Sequence, residues 1–288
     1  MIIKSLLISF QFKQSMVDLK RKMRSLGESG MLIIISPAKK MREDSDGISA
    51  ESLPVFLQET EELMTEMRRM SQAELQLLWR CNASIAAMNW ERLKNMDLHK
   101  AQTPAVLAYD GIQYQYMAPR VFEYAHLEFI RRHLRILSGF YGLLRPFDGV
   151  TSYRLEMQAR LAVGEYQNLY SFWGNKLALK LAAESDLILN LASKEYSKAV
   201  KSWLPENTRF LTCIFGERKN GIIVEKGTAC KIARGQMVRW LAENDVTAAD
   251  DFRGFSQLGY QFSASDSNDC NYIFVKDDKN VDNRNESP

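Results

Sequence analysis

The sequence predicts an α/β protein of the α+β kind, a mixed sheet surrounded by helices, and three observations carry that prediction. Short apolar runs bounded by turn residues, at 32–35, 187–191 and 210–215, read as buried strands. Stretches with apolar residues at helical spacing separate them, as at 54–70 and 226–240. At the centre, residues 133–148 join a basic helix to a turn between Gly139 and Gly142 and then to another apolar run, which reads as helix, hairpin, helix.

Composition sets the limits. The 288 residues are 46% hydrophobic and 25% charged, enough for one large core or two modest ones and incompatible with wholesale disorder. Lys plus Arg number 38 against 35 Asp plus Glu, so nucleic-acid binding would need a local patch rather than global charge. Cys81, Cys213, Cys230 and Cys270 form no C-x-x-C pair, which disfavours a zinc ribbon or redox dithiol and suggests reduced, buried thiols. No transmembrane run, phosphate-binding G-x-x-x-x-G-K-[ST] loop or nucleophile elbow occurs in the sequence. The three histidines, His99, His126 and His133, make no zinc motif, so neither a metal site nor a cofactor is expected.

In chain order, Leu6 to Phe10 imitates a secretory signal. The apolar run is short, however, and Lys20, Arg21 and Lys22 follow without a small-residue cleavage site. Residues 1–30 are therefore expected to be an N-terminal extension, disordered or a non-native start, with a basic amphipathic surface helix as the rival. A strand at 32–35 ends at Ser36-Pro37, which leaves Ser36 and Lys39 just past a strand end, where ligand groups gather in α/β sheets. Helices follow at 54–70 and, after the capping box Ser71 to Glu74, up to about Asn95. Residues 105–109 read as a second strand turned by Asp110-Gly111, with Tyr114 and Tyr116 alternating on a further strand.

Residues 127–137 read as the basic helix that feeds the hairpin. In 153–156, Arg154 and Glu156 point apart on a helix and share a face on a strand, so the local conformation decides whether they meet. The strand at 187–191 ends at polar residues that include Ser193, and Lys194, Lys198 and Lys201 then share a helical face. The last third looks antiparallel: 210–215 and 222–224 flank Asn220-Gly221, a strong hairpin signal. A helix then carries Lys231, Arg234 and Arg239, and Tyr260, Phe262, Tyr272 and Phe274 alternate as strand residues. Residues 277–288 are expected to be a disordered polar tail.

Several blocks together resemble one family. The run from Leu137 to Pro146 resembles the central motif of the YaaA family of bacterial proteins linked to peroxide stress. Ile35-Ser36-Pro37-Ala38-Lys39, Tyr153 to Met157, Leu169 to Gly174 and Asn190 to Ser193 keep the family's order, and Lys231 and Arg234 sit in a block like its basic one, with Cys230 and Ile232 departing from it. The resemblance covers 31–276 and marks that span as one domain with a family-specific fold. It implies a cytoplasmic protein of the peroxide response that binds DNA by a helix-hairpin-helix beside a positive cleft, in cells that limit free iron.

The reading that leads is a DNA-binding protein rather than an enzyme, and an enzyme is the alternative. In the first, the protein binds duplex DNA independently of sequence, as a monomer and with no membrane partner. Its phosphate contacts come from Arg131, Arg132, Arg135, Gly139, Gly142, Arg145, Lys194, Lys198, Lys231 and Arg234. In the second, Ser36, Lys39, Arg154, Glu156, Asn190, Ser193 and Lys194 meet in one pocket as an enzyme site for a nucleotide or small phosphorylated molecule. An open groove favours the first and a closed pocket of a few hundred Å³ the second.

Overall fold

The run of branched aliphatic residues after Gly30 becomes β1 (Met31–Ile35), the middle of the main sheet, and all five of its residues are buried. A strand covered on both faces has no need of alternation, which is why it reads as a continuous apolar run. The other strands of this sheet are β2 (Leu134–Ser138), β3 (Gly142–Leu144), β4 (Leu187–Leu191), β5 (Arg209–Lys219), β6 (Ile222–Val224), β7 (Tyr260–Phe262) and β8 (Asn271–Lys276). Their order is β7-β8-β5-β4-β1-β2-β3, with β6 paired to β5. The five central strands run parallel, and β3, β6 and β7 pair antiparallel. The computed structural model describes residues 30–43, 47–100 and 103–276. The extension expected at 1–30, Gly30 apart, and the tail expected at 277–288 lie outside the described residues.

This topology selects a place for a site. From β1 the chain builds β2 and β3 on one side, then returns to place β4 on the other, so the strand order reverses between β1 and β4. Ligands of open α/β sheets bind beyond the carboxyl ends of the strands at such a switch point. Ser36 follows β1 there, and Ser193 follows β4.

Helices wrap the sheet: α1 (Leu57–Arg69), α2 (Gln72–Trp79), α3 (Ala83–Asn95), α4 (Ala105–Ala108), α5 (Ile112–Met117), α6 (Tyr124–His133), α7 (Leu169–Trp173), α8 (Lys176–Glu184), α9 (Lys194–Lys201) and α10 (Gly227–Glu243). The Ser71–Glu74 capping box forms as the sequence predicts, with each side chain holding the other residue's backbone N–H. The Asn220-Gly221 hairpin also forms, both residues having positive φ (50° and 79°). The aromatic residues of 169–174 are core: Trp173 is fully buried and packs edge-on against Phe172 and Phe56.

Six expectations need correction. The helix expected over 127–137 stops at His133, and its last residues are β2, whose five residues are buried beside β1. The helix-hairpin-helix is therefore absent from this segment: helix α6 leads into a β-hairpin, in which Ile136 faces Leu144 and Ser138 faces Gly142. Of residues 105–109, expected as a strand, only Tyr109 lies in one, a two-residue strand with Asp110, and 105–108 form the helical turn α4, buried on every side. Its first N–H groups bond to Asp148 O and Pro146 O. A run buried all round carries no periodicity to separate helix from strand. Tyr114 and Tyr116 consequently sit on helix α5, which Gly111 opens, rather than on a strand. The last third is parallel in its centre, β5 lying between β4 and β8, with only β6 and β7 antiparallel. Of the four thiols, which are all free, Cys213 and Cys230 are buried, whereas Cys81 is partly covered and Cys270 exposed.

Candidate functional site

At the switch point the ends of β1 and β4 are tied together. The Ser193 N–H donates to Ser36 Oγ (2.8 Å), the two hydroxyl oxygens lie 3.3 Å apart, and Tyr114 donates its hydroxyl to Ser36 O (2.9 Å). Above this junction opens a cavity of about 400 Å³, lined by Ser36, Lys39, Arg154, Glu156 and Ser193 from the expected pocket set and by Lys231 and Arg234 from the expected DNA set. A volume of this size suits a small molecule rather than a duplex. Asn190 stays out of it: its amide is spent on Thr212 Oγ1 (3.3 Å) and the Ala192 N–H (3.0 Å). Lys194 points to solvent and pairs with Glu225 (3.2 Å).

The residues 151–156 form neither helix nor strand, and this irregular path lets Arg154 and Glu156 meet. Arg154 Nη2 lies 3.3 Å and Lys39 Nζ 3.4 Å from Glu156 Oε1, and Arg154 also reaches Trp79 O (3.4 Å). The Glu156 side chain is only 9% exposed, yet neither cation is aligned for a hydrogen bond, so Oε1 has no such partner among the described residues. A second carboxylate, Glu195, lines the same cavity and accepts the Gln158 N–H (3.2 Å). Burial raises its pKa above the ordinary carboxylate range despite that hydrogen bond, and the nearby charge of Glu156 adds to the effect. Two carboxylates in unlike surroundings within one cavity can divide the roles of general acid and general base.

Glycines bring the walls together. A Cβ on Gly235 of α10 would stand 2.1 Å from Gln113 O, so only glycine allows α10 to carry Lys231 and Arg234 up against α5. A Cβ on Gly139 would stand 2.6 Å from Leu155 O and 2.9 Å from the Glu156 carbonyl carbon. The hairpin is thus the bed beneath the loop that holds Glu156.

The same hairpin offers no surface to a phosphate. Ser138 Oγ accepts the N–H groups of Phe140 (3.1 Å) and Tyr141 (2.9 Å), Trp173 Nε1–H donates to Gly139 O (3.0 Å), and Gly139 and Gly142 are buried. Arg135 is buried on Glu184 (2.7 Å), and Arg131 is held by Glu51 (2.6 Å) and Glu128. Arg132 and Arg145 remain exposed, as do Lys194 and Lys198 on α9, the latter over the Tyr170 ring at 5.0 Å.

Sequence reasoning missed Glu195 and the wall residues Tyr114, Tyr153 and Tyr196. Glu195 could have been found as the first-turn acid of a helix that starts at a strand end; Tyr114 stood out in sequence only as one of two alternating aromatic residues, and the place of all three tyrosines depends on the path of α5, of α9 and of the 151–156 loop. Among the described residues, no group of three or more His, Cys, Asp or Glu side chains is placed to hold a metal ion.

Comparison with known proteins gives one consistent result. A family model described as peroxide stress protein YaaA matches residues 31–266. A UPF0246 protein of Lachnoclostridium phytofermentans is 48% identical over 254 residues, spanning 88% of this chain and 100% of the relative. A UPF0246 protein of Agathobacter rectalis is 49% identical over 246 residues (85% and 99%), and one of Pediococcus pentosaceus is 46% identical over 248 (86% and 99%).

Proposed function

The chain belongs to the peroxide stress protein YaaA family, whose role is in the peroxide stress response, and from that premise we propose that its cavity at the β1/β4 switch point binds a small phosphorylated molecule and acts on it. One observation carries this reading: residues from four separate segments, Ser36 and Lys39, Arg154 and Glu156, Ser193 and Glu195, and Lys231 and Arg234, line one cavity of about 400 Å³. Lys231 and Arg234 are the phosphate-holding groups, because they stand three apart on one face of α10. Glu156 and Glu195 supply proton transfer. Isothermal titration of the full chain with inorganic phosphate and with nucleoside monophosphates tests the reading. Binding is expected, and Lys231→Ala or Arg234→Ala should weaken it about tenfold each, the loss of one charge-assisted hydrogen bond. Absence of binding to every phosphate compound, or variants that bind as the wild type does, overturns it.

A second reading, binding of duplex DNA by its backbone, draws support from the exposed face of α9, where Lys194, Lys198 and Lys201 lie in line. It expects affinity that falls steeply with salt and is indifferent to base sequence, and it expects Lys198→Ala to flatten the salt slope by about one unit. Limitation of free iron would follow from either reading only as a consequence in the cell.

A further inference from the structure

Resting on the small-molecule reading, we infer that the Ser193 hydroxyl completes the phosphate seat of Lys231 and Arg234, and that Ser36 is the positioning residue that aims it. Ser193 stands at the N-cap of α9 but does not cap it. In that place a side-chain oxygen ordinarily accepts the N–H of the second or third helical residue, which stabilises the helix. Ser71, Asn82 and Asn168 do so at the starts of α2, α3 and α7. At α9 the third-residue N–H, that of Tyr196, turns instead to Ser193 O (3.0 Å), as does the Ser197 N–H (2.9 Å). A serine that forgoes its cap at the wall of a cavity breaks a local rule, and such breaks collect at functional sites.

The direction of the hydroxyl follows from its neighbours. Ser36 Oγ accepts the Ser193 N–H (2.8 Å) and donates its own hydrogen to Ser193 Oγ (3.3 Å). Ser36 is itself pinned, its carbonyl accepting the Tyr114 hydroxyl (2.9 Å). With one lone pair of Ser193 Oγ filled from Ser36, the Ser193 hydrogen is left to point elsewhere, and it meets no acceptor among the described residues. Ser193 is only half-buried and lines the cavity, so a ligand reaches it. The charges nearby make that ligand an anion. Glu225 joins the two helices here, one carboxylate oxygen 3.2 Å from Lys194 Nζ and the other 3.6 Å from Arg234 Nη2. The start of α9 thus lies beside the arginine assigned to the phosphate, with Lys231 three residues before it on α10. An uncommitted O–H beside two cations suits a phosphate oxygen, to which it makes a charge-assisted hydrogen bond.

The test is isothermal titration of the full chain with inorganic phosphate and adenosine 5′-monophosphate, with thermal melting of each variant alongside. Ser193→Ala is expected to weaken both ligands about tenfold, the loss of one bond to a charged group, and to leave the melting temperature unchanged because no cap is lost. Ser36→Ala should weaken them about threefold in the otherwise native chain and not at all in the Ser193→Ala background, since a residue that acts through Ser193 has nothing to aim once that hydroxyl is gone. A purely structural effect of Ser36 would appear in both backgrounds. Ser193→Asp restores a capping oxygen but repels phosphate, so it should bind more weakly than Ser193→Ala; it also serves if the alanine variant does not fold. Unchanged affinity in Ser193→Ala, binding restored in Ser193→Asp, or an equal effect of Ser36→Ala in both backgrounds overturns the inference. Phosphate binding that still depends on Lys231 and Arg234 then leaves the anion reading standing. If the wild type binds neither ligand, both fall.

Discussion

The hairpin of residues 138–142 and the cavity beyond β1 and β4 both look like phosphate sites in sequence, one for its glycines and arginines, the other for polar residues at strand ends. In the fold they part. The hairpin's amides are closed off by Ser138 Oγ and its two glycines are covered by Trp173 and by the 155–157 backbone, whereas the strand ends open on a cavity of about 400 Å³ lined by charged side chains. Glycine serves opposite purposes in anion loops and in packing: the missing Cβ admits a ligand to the backbone in one and a second piece of protein in the other. The sequence position of a cation says equally little, since Arg135 is consumed by Glu184 while Lys231, of ordinary appearance, lies exposed at the cavity.

The sharpest way to break this contrast is to fill the hairpin. A Cβ at Gly142 would meet the Trp173 ring at 2.7 Å and Leu177 at 3.0 Å, on a backbone with φ of 70°. Gly142→Val should destabilise the protein by roughly 3 kcal/mol or more in urea unfolding, through overpacking and left-handed strain together. A soluble variant of undiminished stability would mean that the hairpin is a free loop.

Next in size is Arg135→Ala, which leaves Glu184 without its main partner and should cost about 3 kcal/mol. The pH dependence sharpens the assignment. Burial alone would raise the Glu184 carboxyl, but Arg135 and Lys180 outweigh it and hold the group below the ordinary carboxylate range. A depressed folded pKa contributes stability that is fully present above the unfolded value of about 4.3 and is lost as pH falls through the folded one. Wild-type stability should therefore drop in that acid window, and in Glu184→Gln this part of the drop should vanish. Denaturation midpoints taken from pH 7 to the acid limb decide it, and parallel curves for the two proteins would refute the pairing.

At the cavity the effects should be on affinity instead. Lys231→Ala is expected to lower phosphate or nucleotide affinity about tenfold while shifting the unfolding free energy by no more than about 0.5 kcal/mol, since the side chain is exposed. A stability loss with unchanged affinity would reverse the roles given to the two regions. The smallest effects belong to Arg132→Ala and Arg145→Ala, exposed cations beside the hairpin, for which changes within about 0.5 kcal/mol and unaltered nucleotide binding are expected. A marked fall in duplex affinity for these two variants, read by fluorescence anisotropy across a salt series, would instead return the hairpin's rim to a nucleic-acid surface.

Much of the architecture was legible in residues alone. The branched run of β1, the Ser71 capping box, the Asn220-Gly221 turn and the periodic helix of Lys231 and Arg234 each carry their cause locally, in side-chain branching, cap chemistry, positive φ or spacing. The placement of Ser36 and Ser193 past strand ends was legible for the same reason. What stayed illegible lies where burial is uniform. In 105–108 and 134–138 every residue is buried, no period survives, and helix exchanges with strand according to the neighbours. By itself, then, the sequence determined the mixed fold, the blocks that assign it to its family, and which polar residues end strands, because these depend on interactions within a few residues. Only the tertiary structure decided that the glycine turn is a packed bed and not an anion loop, that Glu156 stands between Lys39 and Arg154, and that Glu195 and Arg234 share its cavity. Those outcomes depend on strands and helices far apart in the chain, and on which buried atoms find partners once these elements have closed together.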